Sequence, residues 1–337
     1  MSFFELYWQV LGLPLSKLKG AAVEAAPFSF VESVLWIGGI ATAVLILSFL
    51  PGVGLLAKAI PRRITFFLGP VLLIALGLGQ GAFPLSLAPT AWRNSLAESF
   101  GVDSLQETEF RIWVAERETR LRREFYWPAY ASLGETEALV ICNRALDLVL
   151  QAQGLPPGRS VSGFKDMGPL TTSLGLVYGG PAYHDPVFGE IGIVKESDYP
   201  TPRHWRLIAA CHEAAHAKGF TREMDAELLT QLAFLQAGQW DPRFRLLADI
   251  HFLNKSGLKL RWPEGLLKEG IRVRAARKEV EKRQPLLMRL RRWAEKLGLR
   301  NSPRKYGDRG FREPWNPGHP FYASLRRLET RAGSALP

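Results

Sequence analysis

The stretch Cys211-His212-Glu213-Ala214-Ala215-His216-Ala217-Lys218-Gly219-Phe220-Thr221-Arg222-Glu223 constrains this chain more than any other, because it contains His-Glu-x-x-His. On an α-helix, histidines at i and i+4 stack on one face, one turn apart, within reach of a single metal ion. Zinc takes imidazole nitrogen at about 2.0–2.1 Å in a tetrahedral shell and suits such a pair. Glu213 is rotated about 100° from His212 around the axis. It therefore misses the metal and reaches a water bound to it, as the general base of a zinc hydrolase does.

The flanking residues predict a helix. Thr201 is an N-cap candidate and Pro202 fits the first helical position. Residues 203–218 contain no Pro or Gly, and Gly219 stands where a left-handed turn would end the helix. Trp205, Ile208 and Ala209 precede His212 at helical spacing, so the histidines extend an apolar stripe. Buried histidines need partners, and a metal supplies them.

Three acids compete for the third ligand position. Zincins with the spacer His-Glu-x-x-His-x-x-Gly-x-x-His place that ligand ten positions after the first His. Arg222 stands there and has no lone pair to offer. Glu223 follows directly, and with Thr221 capping the next helix it falls in the first turn, where the dipole favours a carboxylate. Glu223 is the expected ligand, with Asp225 the alternative. Glu227, one turn past Glu223, is expected to orient a ligand imidazole from behind.

The charge is unevenly spread. From His251 onward there are 22 Lys and Arg against 8 Asp and Glu; with +11 overall, the first 250 residues carry a net −3. The two cysteines, Cys142 and Cys211, do not make a disulfide scaffold, and Cys211 reads as a small core residue.

Residues 1–30 read as an interfacial or soluble helix rather than a signal peptide. Residues 33–57 and 64–87 are uncharged apolar runs, each long enough to span a bilayer, separated by Lys58, Arg62 and Arg63. They predict a two-helix transmembrane hairpin over 31–88, with the alternative of a buried soluble hairpin. The basic loop points to the cytoplasm by the positive-inside rule. The expected localisation is a multi-pass protein of the bacterial inner membrane, with the metal site on the outer, periplasmic side.

Residues 92–337 form the expected second unit. Helices are predicted over 92–124, 135–153 and 224–236, and short strands within 161–193, including Leu174–Tyr178 and Glu190–Val194. A strand beside the metal helix would bind an extended peptide by strand addition. Residues 266–299 read as one long basic helix and 304–336 as an irregular tail. His184, His204, His251 and His319 lack the spacing that would assign them to the site, and read as ordinary histidines; Tyr178 and Tyr183, in the strand region beside it, read as structural, with oxyanion stabilisation the alternative. The expected fold class is thus α+β: a transmembrane hairpin followed by a mostly helical zincin-like domain with a small sheet.

Phe188-Gly189-Glu190-Ile191, the run from His212 to Phe220, and Arg222-Glu223-Met224-Asp225-Ala226 resemble a bacterial membrane family called domain of unknown function 3810. That family is zincin-like and joins N-terminal membrane helices to a Phe-Gly-Glu strand and a His-Glu-x-x-His helix. The resemblance implies a metallopeptidase-like site. The chain departs from the pattern at Glu227, where the family has Asn.

The expected function is a membrane-anchored zinc metallopeptidase acting on a peptide or protein substrate. Zn2+ would be held by His212, His216 and Glu223, with Glu213 as general base. The alternative is a non-catalytic membrane protein with a structural metal site, whose basic C-terminal region binds lipid or a protein partner. The expected partners are the lipid bilayer and that substrate. No recognition motif points to nucleic acid.

Overall fold

The computed structural model describes residues 105–155, 158–178, 182–184, 190–220, 222–256, 258–297 and 320–332, with Pro14, Ala26, Ser29, residues 31–38, Ile40 and Leu96. Its elements run α1 (Glu107–Glu124), α2 (Trp127–Ser132), α3 (Glu135–Ala152), β1 (Lys165–Asp166), α4 (Pro169–Tyr178), β2 (Ala182–His184) and β3 (Ile191–Ile193). They continue α5 (Arg203–Ala217), α6 (Glu223–Ala237), α7 (Pro242–Lys255), α8 (Glu264–Arg283), α9 (Pro285–Lys296) and α10 (Pro320–Ala332).

The helix α6 lies at the centre. Ala226, Leu228, Leu229, Ala233, Phe234 and Ala237 are all buried, so apolar residues surround its axis rather than forming one stripe. It packs on α3, α5, α7 and α10. The α5 surface is made small by Ala209, Ala210, Ala214, Ala215 and Ala217, which lets α3 and α6 approach closely. An aromatic cluster ties α1, α7 and α10 together. Trp113 of α1 meets Phe252 of α7 at 4.7 Å between ring centroids, and Tyr322 of α10 meets Phe252 at 4.9 Å. Beside it, Asp249 of α7 is fully buried and accepts from Arg117 at 3.0 Å and from Arg120 at 2.5 Å, locking α1 to α7.

The sheet has the order β1-β3-β2, with β1 parallel and β2 antiparallel to β3. β3 is buried throughout, and β2, the outer strand among the described residues, lies against α5. Gly192 sits opposite Tyr183, and a Cβ there would fall 2.2 Å from the tyrosine ring. Only glycine allows the ring to cross the strand at this point.

The expected α+β class with a transmembrane hairpin is overturned. The described chain is mostly helical with a small three-stranded sheet, and no helix among the described residues is long and apolar enough to cross a membrane. The two expected spans lie mostly outside the described residues. The described segment 31–38 is helical and turns Glu32 into the protein. There Glu32 accepts the N–H groups of Leu170 and Thr171, each at 2.9 Å, and so caps α4.

That cap explains a second correction. Leu174–Tyr178, expected as a strand, is the end of α4. Its β-type composition yields to a helix start with Pro169 at its first position and a carboxylate on its first N–H groups. The long basic helix is also two helices. Pro285 forces Gln284 out of the helical region, to φ −123° and ψ 57°, and divides α8 from α9. The expected irregular tail contains α10, whose Phe321, Tyr322 and Leu325 are buried.

Candidate metal centre

The helix α5 begins at Arg203 without a local cap. Thr201, expected in that role, has its Oγ1 buried without a hydrogen-bond partner. Instead Glu269 reaches across from α8 and accepts the Arg203 N–H at 2.8 Å. A remote carboxylate thus answers the positive end of the metal helix. At the other end Gly219 takes φ +95°, the left-handed turn expected of it. The chain reverses there and starts α6 at Glu223, with Arg222 in the cap position.

This reversal brings Glu223 back over the two histidines. His212 Nε2 stands 3.1 Å from Glu223 Oε2 and 3.1 Å from His216 Nε2, and His216 Nε2 stands 3.6 Å from Glu223 Oε1. A tetrahedral zinc with arms of about 2.0–2.1 Å separates its donors by about 3.3–3.4 Å. The three observed distances bracket that value, and the donor set is chemically right for zinc. His216 Nδ1 faces the Phe220 carbonyl at 2.6 Å and must donate to it, which leaves Nε2 of a neutral ring as a lone pair aimed into the cluster.

The acids divide cleanly. Asp225 is buried and accepts the backbone N–H of Leu96 at 2.8 Å, and it is not among the converging donors His212, His216 and Glu223. Glu227 lies behind the cluster, with Oε2 3.9 Å from His212 Nδ1, which is ion-pair range but not a hydrogen bond. Its carboxylate is held by Lys255 and by His251 Nε2 at 2.6 Å. The other His251 nitrogen faces Gln231 Oε1 at 2.9 Å, while the Gln231 amide donates to the Ala248 carbonyl. Burial lowers the His251 pKa despite the neighbouring Glu227 carboxylate, and a neutral ring that donates from Nε2 accounts for the short contact to Glu227.

Charge follows from this packing. Burial opposes a charge on His212, but Glu227, Glu223 and Glu213 outweigh it and raise its pKa. Bonds to His212 and His216 hold the Glu223 carboxyl far below the usual carboxylate range. Burial pushes Glu227 up, yet Lys255, His212 and His251 outweigh it and keep it well below that range. Glu213 goes the other way. Burial raises its pKa, and the two nearby histidines only partly offset this. Two carboxylates ten residues apart, on α5 and α6, thus differ beside the same histidines, Glu223 ionised against them and Glu213 with a strengthened hold on a proton.

The remaining candidates fall into place. His184 on β2 lies parallel to His216, with ring centroids 6.3 Å apart, so β2 borders the cluster. Tyr183 donates to Glu190 Oε1 at 2.8 Å and holds β2 to the residue preceding β3. His204 stands 3.7 Å from Glu269, at the far end of α5. His319 and the Tyr178 side chain lie outside the described residues. Cys142 and Cys211 are both free and buried. His251 is a hydrogen-bonded structural histidine, as expected, but sequence reasoning did not connect it or Lys255 to Glu227. Both lie on α7, and His251 at i, Lys255 at i+4 was the available signal of a shared face.

No family model matches this chain, and no curated protein or solved structure matches it either.

Proposed function

We propose that the protein is a zinc-dependent metallopeptidase. The observation that supports this most is the convergence of His212, His216 and Glu223 within metal-binding distance, beside a buried Glu213 on the same helix. Bound there, zinc would supply a Lewis acid that polarises a carbonyl and lowers the pKa of water. Glu213 takes the proton of the attacking water and passes it to the leaving amine, a task that suits a carboxyl whose proton affinity is raised by burial. Among the described residues β2 is the outer strand of the sheet, and its His184 borders the cluster, so a peptide held along this side of the sheet would run past the zinc ligands. Glu227, fixed by Lys255 and His251, keeps negative charge behind His212.

Zinc affinity of the purified protein and its variants tests this, with hydrolysis of a peptide library measured alongside. His212→Ala and Glu223→Ala are expected to weaken zinc more than 100-fold, beyond the ~10–100-fold that loss of an outer partner costs. Asp225→Ala is expected to bind zinc nearly as tightly as the native chain. Tight zinc in Glu223→Ala with loss in Asp225→Ala would reverse the ligand assignment. A zinc-loaded protein that cleaves no peptide would leave the site a structural one.

The affinity is also expected to depend on pH. A protonated imidazole has no lone pair for a metal, and the raised His212 pKa extends the protonated range upward. Zinc binding should therefore weaken as pH falls through that pKa, by about tenfold per pH unit for one displaced proton, and level off above it. Chelator competition across a pH series measures this, and a flat profile would count against His212 as a ligand.

A further inference from the structure

The helix α9 carries two apolar faces. Leu287 and the buried Ala294 turn toward the protein, where α9 packs on α4, and Leu287 lies against a cluster of Met167, Leu176, Val194 and Tyr199. A second set, Leu286, Leu290, Trp293 and Leu297, recurs at intervals of four, three and four residues and so forms one stripe. That stripe lies about a quarter turn from the packed face. Its side chains are 70%, 46%, 59% and 53% exposed, in that order. A surface helix that only covered its own domain would carry polar residues there.

The charges beside the stripe narrow down what covers it. Arg289, Arg292 and Lys296 are exposed along one flank, and Lys282 and Arg283 at the end of α8 are exposed too. The single acid of α9, Glu295, is half-buried and lies 3.5 Å from Arg291. We propose that α9 is a docking helix for an anionic lipid surface. Leu286, Leu290, Trp293 and Leu297 enter the boundary between headgroups and acyl chains, and the flanking cations meet lipid phosphates. Tryptophan is the side chain most at home at that boundary. A nucleic acid would reward the cations but not four exposed apolar side chains. A second copy of the chain would bring two basic flanks together. The inference rests on α9 and does not depend on the metal centre.

A reporter placed on α9 itself tests this in the full chain. Cys142 and Cys211 are buried, so an environment-sensitive fluorophore can be attached selectively to Leu290→Cys, with Gln239→Cys, exposed on the α6–α7 turn, as control. The fluorophore at 290 is expected to blue-shift with vesicles of phosphatidylcholine and phosphatidylglycerol, and much less with phosphatidylcholine alone. The fluorophore at 239 is expected not to respond. Because the signal reports the surroundings of α9, binding of vesicles through another part of the chain does not imitate it. Combining Arg289→Gln, Arg292→Gln and Lys296→Gln should weaken the response about fivefold per cation, roughly 100-fold together. An aqueous signal at 290 on anionic vesicles, an equal response at 239, or a response to an RNA homopolymer but not to vesicles would each overturn the proposal.

Discussion

Glu213→Ala is expected to retain zinc and to lose peptide hydrolysis by roughly 10²–10⁴-fold, the range associated with a positioned acid–base group. The two halves of this result have separate causes. Zinc stays because Glu213 is not among the converging donors, which are His212, His216 and Glu223. Hydrolysis goes because no other carboxylate of the site is placed to move the proton: Glu223 is committed to the histidines and Glu227 to His251 and Lys255. Glu213→Gln keeps the volume and hydrogen-bonding shape but not the basicity, and should fail equally. Steady-state kinetics with zinc content measured on the same samples would decide. Native rates in a zinc-loaded Glu213→Ala protein free of contaminating protease would sink the assignment.

The largest effect on stability is expected from Asp249→Ala. Asp249 is fully buried and answers both Arg117 and Arg120. The Arg117 side chain is itself nearly buried, and its guanidinium lies 4.3 Å from the Phe252 ring centre. Asp249→Ala takes away the carboxylate that both guanidiniums share on α7, and breaking a buried pair costs about 3–5 kcal/mol. The loss should appear as a lower denaturation midpoint, and it should also loosen α1 from α7, the helix that carries His251 and Lys255. Asp249→Asn keeps a hydrogen-bond acceptor and should cost less. Equal stability of Asp249→Ala and the native protein would show that the two arginines find other partners at no cost.

Read side by side, the two results separate chemistry from scaffolding, and the same separation runs through the sequence. The spacing of His212, Glu213 and His216 needs only helical periodicity to put two imidazoles on one face. The Pro- and Gly-free run before Gly219 makes the helix legible, because propensity and chain reversal are local properties. The α3 helix was legible for the same reason. Its apolar positions repeat with helical period and Gly154 closes it at φ +64°.

What stayed hidden depended on residues far away along the chain. The start of α4 rests on Glu32 and the start of α5 on Glu269, so reading Thr201 as a cap and Leu174–Tyr178 as a strand each followed a local preference that a distant carboxylate overrode. Among the three acids, sequence alone could rank Glu223 first but could not see that Asp225 is engaged by the Leu96 N–H. His251 and Lys255 are ordinary residues until α7 packs on α6 and sets them around Glu227. Periodicity and turn chemistry act within a few residues and can be read in order along the chain. Which carboxylate meets which cation depends on how helices pack, and only the tertiary structure decided that.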